Sequence, residues 1–200
     1  NEYSKNARLN ANIKYRPESI SGLVLGLNTS GMLLNQGDFF LWENADSGAY
    51  LQNPSGTSYF SGHRFYIDPS IKYFTSKGNR HSINTRYYNS TNQMPDNEDK
   101  NSQFYLLLGE YRHQHKFNEN IQMTVGTSVN HSKVHSNLYG EHMKNEAAVF
   151  TQLSARFFTR LNYSLGFRWE TYKLNEIQEH SHPVLRTGLN YQLFSHNQFL

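Results

Sequence analysis

The segment LNYSLGFRWE, residues 161–170, carries the clearest structural signal in the sequence. Leu161, Tyr163, Leu165, Phe167 and Trp169 occupy its odd positions, and four of its five even positions are polar. A period of two places successive side chains on opposite faces of a β-strand. The segment therefore predicts a strand with one apolar face and one polar face.

The same alternation recurs along most of the chain. Apolar or aromatic side chains alternate with polar ones in residues 9–16, 65–73, 83–88, 105–112, 121–130, 149–157 and 185–193. Residues 20–42 form a less regular strand in which four glycines indicate bends or bulges, and a last strand begins near Phe199. Because turn-forming residues separate these segments, the sequence predicts about ten consecutive antiparallel strands.

Two details depart from the regular pattern. Pro69 lies inside a strand segment, and because proline cannot donate to a strand ladder, it predicts a bulge or a strand start at that point. Leu106 and Leu108 fall on a face that is otherwise polar. These two leucines indicate either contact with another part of the protein or a different register for their strand.

The connections between the predicted strands alternate in length. Short turns lie near Pro17, Gly78, Asn118, Thr159 and Ser195, and long polar loops are predicted at 43–62, 90–102, 133–146 and 174–182. A β-sandwich has connections of mixed length, whereas a membrane barrel has short turns on one side and long loops on the other. The alternation therefore favours a membrane barrel and assigns its two sides.

Aromatic residues precede nearly every short turn. A ring of aromatic side chains at one depth is typical of a membrane interface, where an amphipathic ring is stable at the level of the headgroups. We therefore predict an aromatic girdle consisting of Tyr15, Tyr73, Phe74, Phe117, Phe157, Phe158 and Phe194.

Composition narrows the class of protein further. The mean hydropathy of −0.76 and the absence of a long apolar run exclude a transmembrane helix. A membrane barrel stays compatible with these values because every second strand residue is polar. The absence of cysteine excludes disulfides, thiolate metal sites and a cysteine nucleophile.

Charge is also divided between loops and strands. The predicted long loops hold nine of the sixteen acidic residues but only three of the nineteen basic ones. The strand segments and short turns therefore carry the positive charge, and a positive lumen would attract an anionic solute. The alternative is that these basic side chains pair with neighbouring carboxylates, since charges removed from water need partners.

With strands and turns placed, the chain resembles the middle of the barrel of a TonB-dependent receptor of the Bacteroidota type. The resemblance covers nearly the whole chain, and none of its segments is a catalytic or ligand signature. It is carried by ANIKYRP (11–17), GDFFLWENADSGAY (37–50), FYIDPSIKYFTSKGNRHSINTRYYNSTNQ (65–93), YLLLGEYRHQHKF (105–117), SNLYGEHMKNEAAVFTQLSARFFTRLNYSLGFRWE (136–170) and PVLRTGLNYQLF (183–194).

The resemblance implies an all-β fold, an antiparallel transmembrane barrel of about 22 strands, to which this chain contributes about ten. Residues 1–200 would be one partial barrel domain, with the plug domain and the remaining strands outside this sequence. The implied location is the bacterial outer membrane. The implied partners are the TonB complex, reached through the N-terminal part, outer-membrane lipid and lipopolysaccharide, a solute and a surface lipoprotein.

The leading functional hypothesis is TonB-dependent uptake of a scarce solute, such as a ferric siderophore or similar iron chelate. Polar lumenal side chains and outer loops would line the solute path, although the same residues could equally be wall or plug contacts. The candidates on the strands are Tyr66, Arg86, Tyr88, Arg112, Arg156, Arg168, Glu170 and Arg186, and those in the outer loops are Trp42, Tyr50, Tyr59 and Tyr139.

Two alternatives to active uptake stay open. A passive porin or a structural barrel within an envelope complex would share the alternating strands, and a secreted β-sandwich would share the composition. A plug and a TonB box would separate the first from a receptor, and solubility without detergent would identify the second.

Several other chemistries are disfavoured. The histidines His131, His135, His142, His180 and His182 lie in loop regions. Ligation of a metal needs several converging side chains, and loop histidines in a chain rich in Tyr and Asn are more often solvated, so we expect neither metal nor cofactor, with a metal or haem site as the open alternative. Residues 130–132 contain the residue types of an acyl-transfer triad, but neighbours on a strand point to opposite faces, so we expect no enzyme. The basic residues do not form a stripe, so we expect no nucleic-acid partner.

Overall fold

The computed structural model describes residues 3–39, 41–44, 46, 53, 56–158, 160–194 and 197–199. These residues form one antiparallel sheet in which each strand pairs with the next along the chain, apart from a short strand beside β8. The strands are β1 (Tyr3–Tyr15), β2 (Leu23–Phe39), β3 (Thr57–Phe74), β4 (Arg80–Gln93), β5 (Ser102–Lys116), β6 (Ile121–Ser136), β7 (Gly140–Phe157), β8 (Leu161–Leu174), β9 (Ile177–His180), β10 (Val184–Phe194) and β11 (Asn197–Phe199).

The connections define the two ends of the sheet. At one end, which we call the short-turn end, lie the turns after β1, β3 and β5 and the last residues of β7 and β10. The predicted turn positions Thr159 and Ser195 lie outside the described residues. Gly78 adopts a φ of 79° in the turn after β3, a conformation that favours glycine. In the turn after β5, the Asn118 side chain accepts hydrogen bonds from the backbone N–H groups of Asn120 and Ile121, at 2.8 and 2.9 Å. The opposite end, with the connections after β2, β4, β6 and β8, is called the loop end.

Cross-strand pairing sorts the side chains into two faces. Leu25, Ile71, Ile83, Tyr111 and Thr127 lie on one row of directly paired residues, which continues through Val149 and Trp169. The adjacent positions form a polar row through Asn84, Glu110 and Ser128. We call these the apolar face and the polar face. The alternation read from residues 161–170 therefore extends across the sheet.

The described residues form a single layer, and the large apolar side chains are uncovered. Leu9 is 78% exposed and Leu185 is 74% exposed, whereas only the small residues Ala148 and Ala155 are buried among the hydrophobic ones. The accessible surface is 14644 Å², against about 9,700 Å² for a compact soluble monomer of this mass. A sandwich buries its apolar faces between two sheets, so the sandwich alternative does not fit the described residues.

The all-β, antiparallel fold is confirmed, with ten strands in the continuous path and the short β9 beside β8. No helix within the described ranges combines the length and the apolar character that a membrane crossing needs.

Strand extends into all four predicted long loops: β3 begins at Thr57, inside 43–62, and β4 runs to Gln93, inside 90–102. The other two predicted loops are wrong over most of their length. The segment 133–146 is a hairpin in which β6 and β7 pair up to Ser136 and Gly140, with a turn at 137–139. The segment 174–182 contains β9, reached by a two-residue turn in which Asn175 has a φ of 53°. These stretches are polar on both faces, so they lack the alternation that identifies a strand.

The predicted bulge or strand start at Pro69 is also wrong. Pro69 lies inside β3, and the pairing with β4 resumes at Ser70 in the register that it had at Ile67. Side chains bridge the interrupted ladder, since the Thr85 hydroxyl donates to the Pro69 carbonyl at 3.2 Å. The alternative of a bulge in the second strand is likewise wrong, because β2 and β3 pair without a register shift from Leu23–Tyr73 to Phe39–Thr57.

Candidate functional site on the polar face

The eight residues predicted to line a solute path share the polar face. The register pairs Tyr66 with Tyr88, and it pairs Arg112 with Gly126, which lies between Thr124 and Ser128 on the same face. The others occupy equivalent positions on neighbouring strands. Those residues are Arg86 on β4, Arg156 on β7, Arg168 and Glu170 on β8, and Arg186 on β10.

Arg86 is held by a carboxylate of the adjacent strand. Its Nε and a terminal nitrogen donate to the two oxygens of Asp68 at 2.8 and 2.7 Å, and its guanidinium lies 5.0 Å from the ring centroid of Tyr66. A bidentate pair of this kind fixes the guanidinium plane. Arg86 therefore braces β3 against β4 beside Pro69, and its charge is largely neutralised.

Arg112 and Arg168 are also paired, each with a carboxylate two residues away on its own strand. Arg112 lies 2.8 Å from a Glu110 oxygen, and Arg168 lies 2.8 Å from a Glu170 oxygen. Residues two apart on a strand point to the same face, which permits these contacts. Glu146 extends the second pair into a network, because it lies 3.6 Å from Arg168 and 2.7 Å from the Lys144 ammonium group.

Three of the predicted arginines surround one hollow of the polar face. Arg112, Arg168 and Arg186 line a depression of about 700 Å³, together with Phe150 and Gly166. The Arg112 guanidinium lies 5.7 Å from the centroid of the Phe150 ring. Unlike the other two arginines, Arg186 has no carboxylate within ion-pair distance in the described part of the chain. The hollow therefore presents excess positive charge beside an aromatic ring.

The remaining predicted path residues lie outside this hollow. Tyr88 contacts Phe104, with ring centroids 5.9 Å apart, and pairs with Leu106. Arg156 donates through Nε to the Asn162 amide oxygen at 3.1 Å, near the short-turn end. Leu106 and Leu108 are on the polar face as the sequence pattern indicated. The polar face thus contains two different regions, one in which Arg86 is braced by Asp68 and one cationic hollow around Arg186.

Sequence reasoning missed the residues that neutralise the arginines. Asp68, Glu110 and Glu146 were not among the candidates, although Glu110 stands two positions from Arg112 in the sequence. That spacing on a predicted strand was a usable signal for a same-face ion pair. The Arg86–Asp68 pair had no such signal, because it joins two different strands.

A second polar-face pocket lies toward the short-turn end. It has a volume of about 200 Å³ and is lined by Lys72, Arg80 and Arg112 with uncharged polar side chains. The Arg80 Nε atom is buried there without a hydrogen-bond partner, while its guanidinium lies 5.5 Å from the Phe74 ring centroid. The short-turn side of the polar face is therefore also cationic.

The residues predicted to lie in the outer loops occupy different positions in the structure. Tyr139 lies in the turn between β6 and β7 and is 75% exposed. Trp42 packs edge-on against Phe39, with ring centroids 4.6 Å apart. Tyr59 is not in a loop but inside β3, 6.3 Å from the Tyr3 ring. Tyr50 lies outside the described residues.

The residues of the predicted girdle all lie at the short-turn end. Tyr15, Phe74, Phe157 and Phe194 end their strands, Tyr73 is the residue before the end of β3, and Phe117 and Phe158 directly follow theirs. The register places Tyr15, Tyr73 and Phe157 on the apolar face, whereas Phe74 pairs with Arg80 on the polar face and so does not share their side of the sheet. Histidines lie beside Tyr73 and Phe117 on the apolar face, a feature that the sequence pattern had not suggested. The His81 and His113 ring centroids are 4.5 Å apart, and His115 meets Phe117 edge-on at 4.6 Å. Their contact with a membrane interface stays a prediction.

The histidines and the possible triad are dispersed. His131 bonds Asn145 at 2.7 Å, and His142 bonds the Tyr139 carbonyl at 2.9 Å. Within the described ranges no three metal-ligating side chains form a group that could hold a metal ion. The register places Asn130 and Ser132 on the polar face and His131 on the apolar face, so these residues do not meet as a triad.

Comparison with known proteins identifies the fold. No family model and no curated protein matches the chain. Among solved structures, one described as the structure of the FpvAI–pyocin S2 complex is similar, with a TM-score of 0.67 at 11% identity. The match covers 96% of this chain and 34% of that one, so the chain spans about a third of the similar protein. FpvAI is a TonB-dependent receptor, and the chain therefore has the fold of part of a TonB-dependent receptor barrel.

Proposed function

We propose that this chain forms part of the barrel wall of an outer-membrane receptor that takes up a scarce solute by a TonB-dependent mechanism. The observation that carries the proposal is a single-layer sheet with an uncovered apolar face and a charged opposite face. In a closed barrel, the first face would contact lipid and the second would line the lumen. Uncovered strand edges are not stable in hydrocarbon, so the sheet would be completed by further strands.

The proposal also covers the type of receptor and its partner proteins. The resemblance in sequence supports assignment to the Bacteroidota type, in which a surface lipoprotein would be an additional partner. A plug and its contact with the TonB complex would lie in parts of the protein outside residues 1–200. The similar receptor is seen in complex with a protein, pyocin S2, which is consistent with a receptor that takes a protein partner.

We propose an anionic iron chelate as the solute, and the support for the anionic part of this proposal is the charge of the polar face. Arg86 and Arg112 are paired with carboxylates, so the uncompensated positive charge is concentrated at Arg186 and at the pocket of Lys72 and Arg80. A cationic hollow attracts anions by simple Coulomb forces. The Phe150 ring in the same hollow adds an apolar surface for the organic part of a chelate.

A gene deletion complemented with variants tests this function. Cells lacking the full-length protein should lose uptake of radiolabelled ferric siderophore under iron limitation, and removal of TonB should have the same effect. Arg186→Gln should reduce uptake roughly tenfold if the hollow contacts the solute. Arg8→Gln is the matched control, because Arg8 is on the same face but at β1, several strands away.

The outcomes separate the candidate functions. Uptake that persists without TonB would favour the runner-up, a passive porin or a structural barrel in an envelope complex. Uptake that is unchanged by deletion would remove the iron chelate from consideration. Equal losses in the Arg186 and Arg8 variants would assign both arginines to the stability of the wall rather than to the solute.

A further inference from the structure

The polar face of β5 changes character at Glu110. From Glu110 to Lys116 its side chains on this face are charged or polar, whereas nearer the loop end they are Phe104, Leu106 and Leu108. Residues two apart on a strand share a face, so these three side chains form a continuous apolar strip about 14 Å long. A strip of this kind is unexpected on a face that is otherwise polar.

Side chains of the neighbouring strands widen the apolar strip on both sides. Tyr88 of β4 pairs with Leu106, and its ring centroid lies 5.9 Å from that of Phe104. Tyr66 of β3 pairs with Tyr88, and Val134 of β6 pairs with Phe104. The three side chains of the strip are half-buried, so part of their surface stays uncovered within the described part of the chain.

Charged side chains that flank the apolar strip are neutralised by partners. On β4, Arg86 donates to both carboxylate oxygens of Asp68, at 2.8 and 2.7 Å. On β7, the Lys144 ammonium group lies 2.7 Å from Glu146. The strip therefore presents apolar surface with little uncompensated charge beside it, in contrast to the cationic hollow around Arg186.

The apolar strip and the cationic hollow lie in line along one strand. Arg112 lines the hollow and stands four residues from Leu108, about 14 Å along β5. Glu110, which lies between them, is paired with Arg112 at 2.8 Å. A molecule with an anionic group in the hollow would therefore extend an apolar part along the strip toward the loop end.

We infer that the solute is an amphiphile, an anionic iron chelate with an acyl tail, and that the chelate occupies the cationic hollow while the tail lies on the apolar strip. This inference deepens the proposed function and rests on it. A hydrocarbon tail suits the strip because each methylene removed from water favours binding about fourfold. A carbohydrate does not, because leucine and phenylalanine leave its hydroxyl groups without hydrogen-bond partners.

Isothermal titration calorimetry of the full-length protein in lipid nanodiscs tests the inference. The probes are one synthetic anionic ferric hydroxamate without a tail, the same chelate with an octanoyl tail and the same chelate with a dodecanoyl tail. Empty nanodiscs measure the partition of each tail into lipid, which is subtracted. The native protein should bind the dodecanoyl form at least roughly tenfold more tightly than the tailless form, with the octanoyl form between them.

Three variants separate the contribution of the tail from that of the chelate. Leu106→Ser should weaken binding of the dodecanoyl form about tenfold and leave binding of the tailless form unchanged. Ser132→Leu, directly across the β5–β6 ladder from Leu106, widens the strip and should tighten binding of the dodecanoyl form about threefold. Leu34→Ser makes the first exchange on the same face at β2 and should bind all three probes as the native protein does.

The inference and the proposed function can fail separately. Equal affinity of the native protein for the tailed and tailless forms would overturn the inference alone. Equal losses for all three probes in Leu106→Ser, or native binding of the dodecanoyl form by Ser132→Leu, would also overturn it and would make the strip a wall element or a contact of the plug. A native protein that binds none of the probes would contradict the iron chelate itself, and the inference with it.

Discussion

The two ends of the hairpin formed by β6 and β7 differ in the polarity of the side chains on the apolar face of the sheet. Toward the short turns, Val125, Thr151 and Leu153 lie on an apolar face backed by polar neighbours. Toward the loop end, Lys133, His135 and Glu141 are polar side chains on the same outward side. The backbone ladder is continuous through both parts. Strand pairing therefore does not depend on alternation, which is found only where the two faces of the hairpin differ in polarity.

The largest expected effect comes from a charge placed on the apolar face of the alternating part. Leu153→Arg should cost about 2–4 kcal/mol of folding free energy in lipid, because the guanidinium would lie in hydrocarbon. Gln152→Arg, one residue away on the polar face, should cost much less. Urea unfolding of the full-length protein in vesicles measures the loss of folding free energy in both variants. Equal losses would contradict the assignment of these two residues to different faces.

A substitution in the turn between β8 and β9 should affect only the loop end of the sheet. Asn175 has a φ of 53°, and its amide oxygen accepts the Met143 backbone N–H at 2.8 Å. Asn175→Ala should therefore lower the free energy needed to open the β8–β9 hairpin by about 1–2 kcal/mol. Asn175→Gly should lower it by less, because glycine adopts this φ freely. Amide hydrogen exchange should show the change in β8 and β9, while unchanged exchange there would contradict the role of Asn175.

A smaller effect is expected from the ion pair beside Pro69. Asp68→Asn should lower the free energy of unfolding by about 1 kcal/mol, since Arg86 is partly exposed and water screens the pair. Asp38→Asn, which alters an exposed carboxylate at the loop end of β2, is the control. In a double-mutant cycle, Arg86→Gln should add little once Asp68 is changed. Additive costs would mean that the two side chains do not brace the interrupted ladder together.

The smallest effect concerns the pH dependence of the β6–β7 hairpin near its turn. The Lys133 ammonium group, 3.1 Å from Glu141, lowers the pKa of that carboxyl below its usual 4.5, and His135 contributes in the same direction. A lowered pKa in the folded state means that the stabilisation is present above pH 4.5 and is lost as the pH falls through the lowered value. NMR titration should show a higher Glu141 pKa in Lys133→Met, and an unchanged pKa would contradict this contact.

The sequence was informative wherever the two faces of a strand meet different surroundings. Leu161–Glu170 alternates because one face is apolar and the other is polar, and the observed pairing follows that pattern. The same reasoning placed the eight candidate path residues on one face. It failed for 133–146 and 174–182, where both faces carry polar side chains and the period of two is lost. The prediction at Pro69 was wrong because a side chain of β4, Thr85, compensates for the backbone N–H that proline lacks.

The alternation in the sequence was therefore enough to predict consecutive antiparallel strands, the face of each residue in the alternating segments and the turns after β1, β3 and β5. The contacts between residues of different strands followed only from the assembled sheet. The Arg86–Asp68 pair and the hollow around Arg186 each combine residues from different strands. Local alternation assigns a side chain to a face, but its neighbours on that face depend on the hydrogen-bond register between strands, which is a property of the assembled sheet.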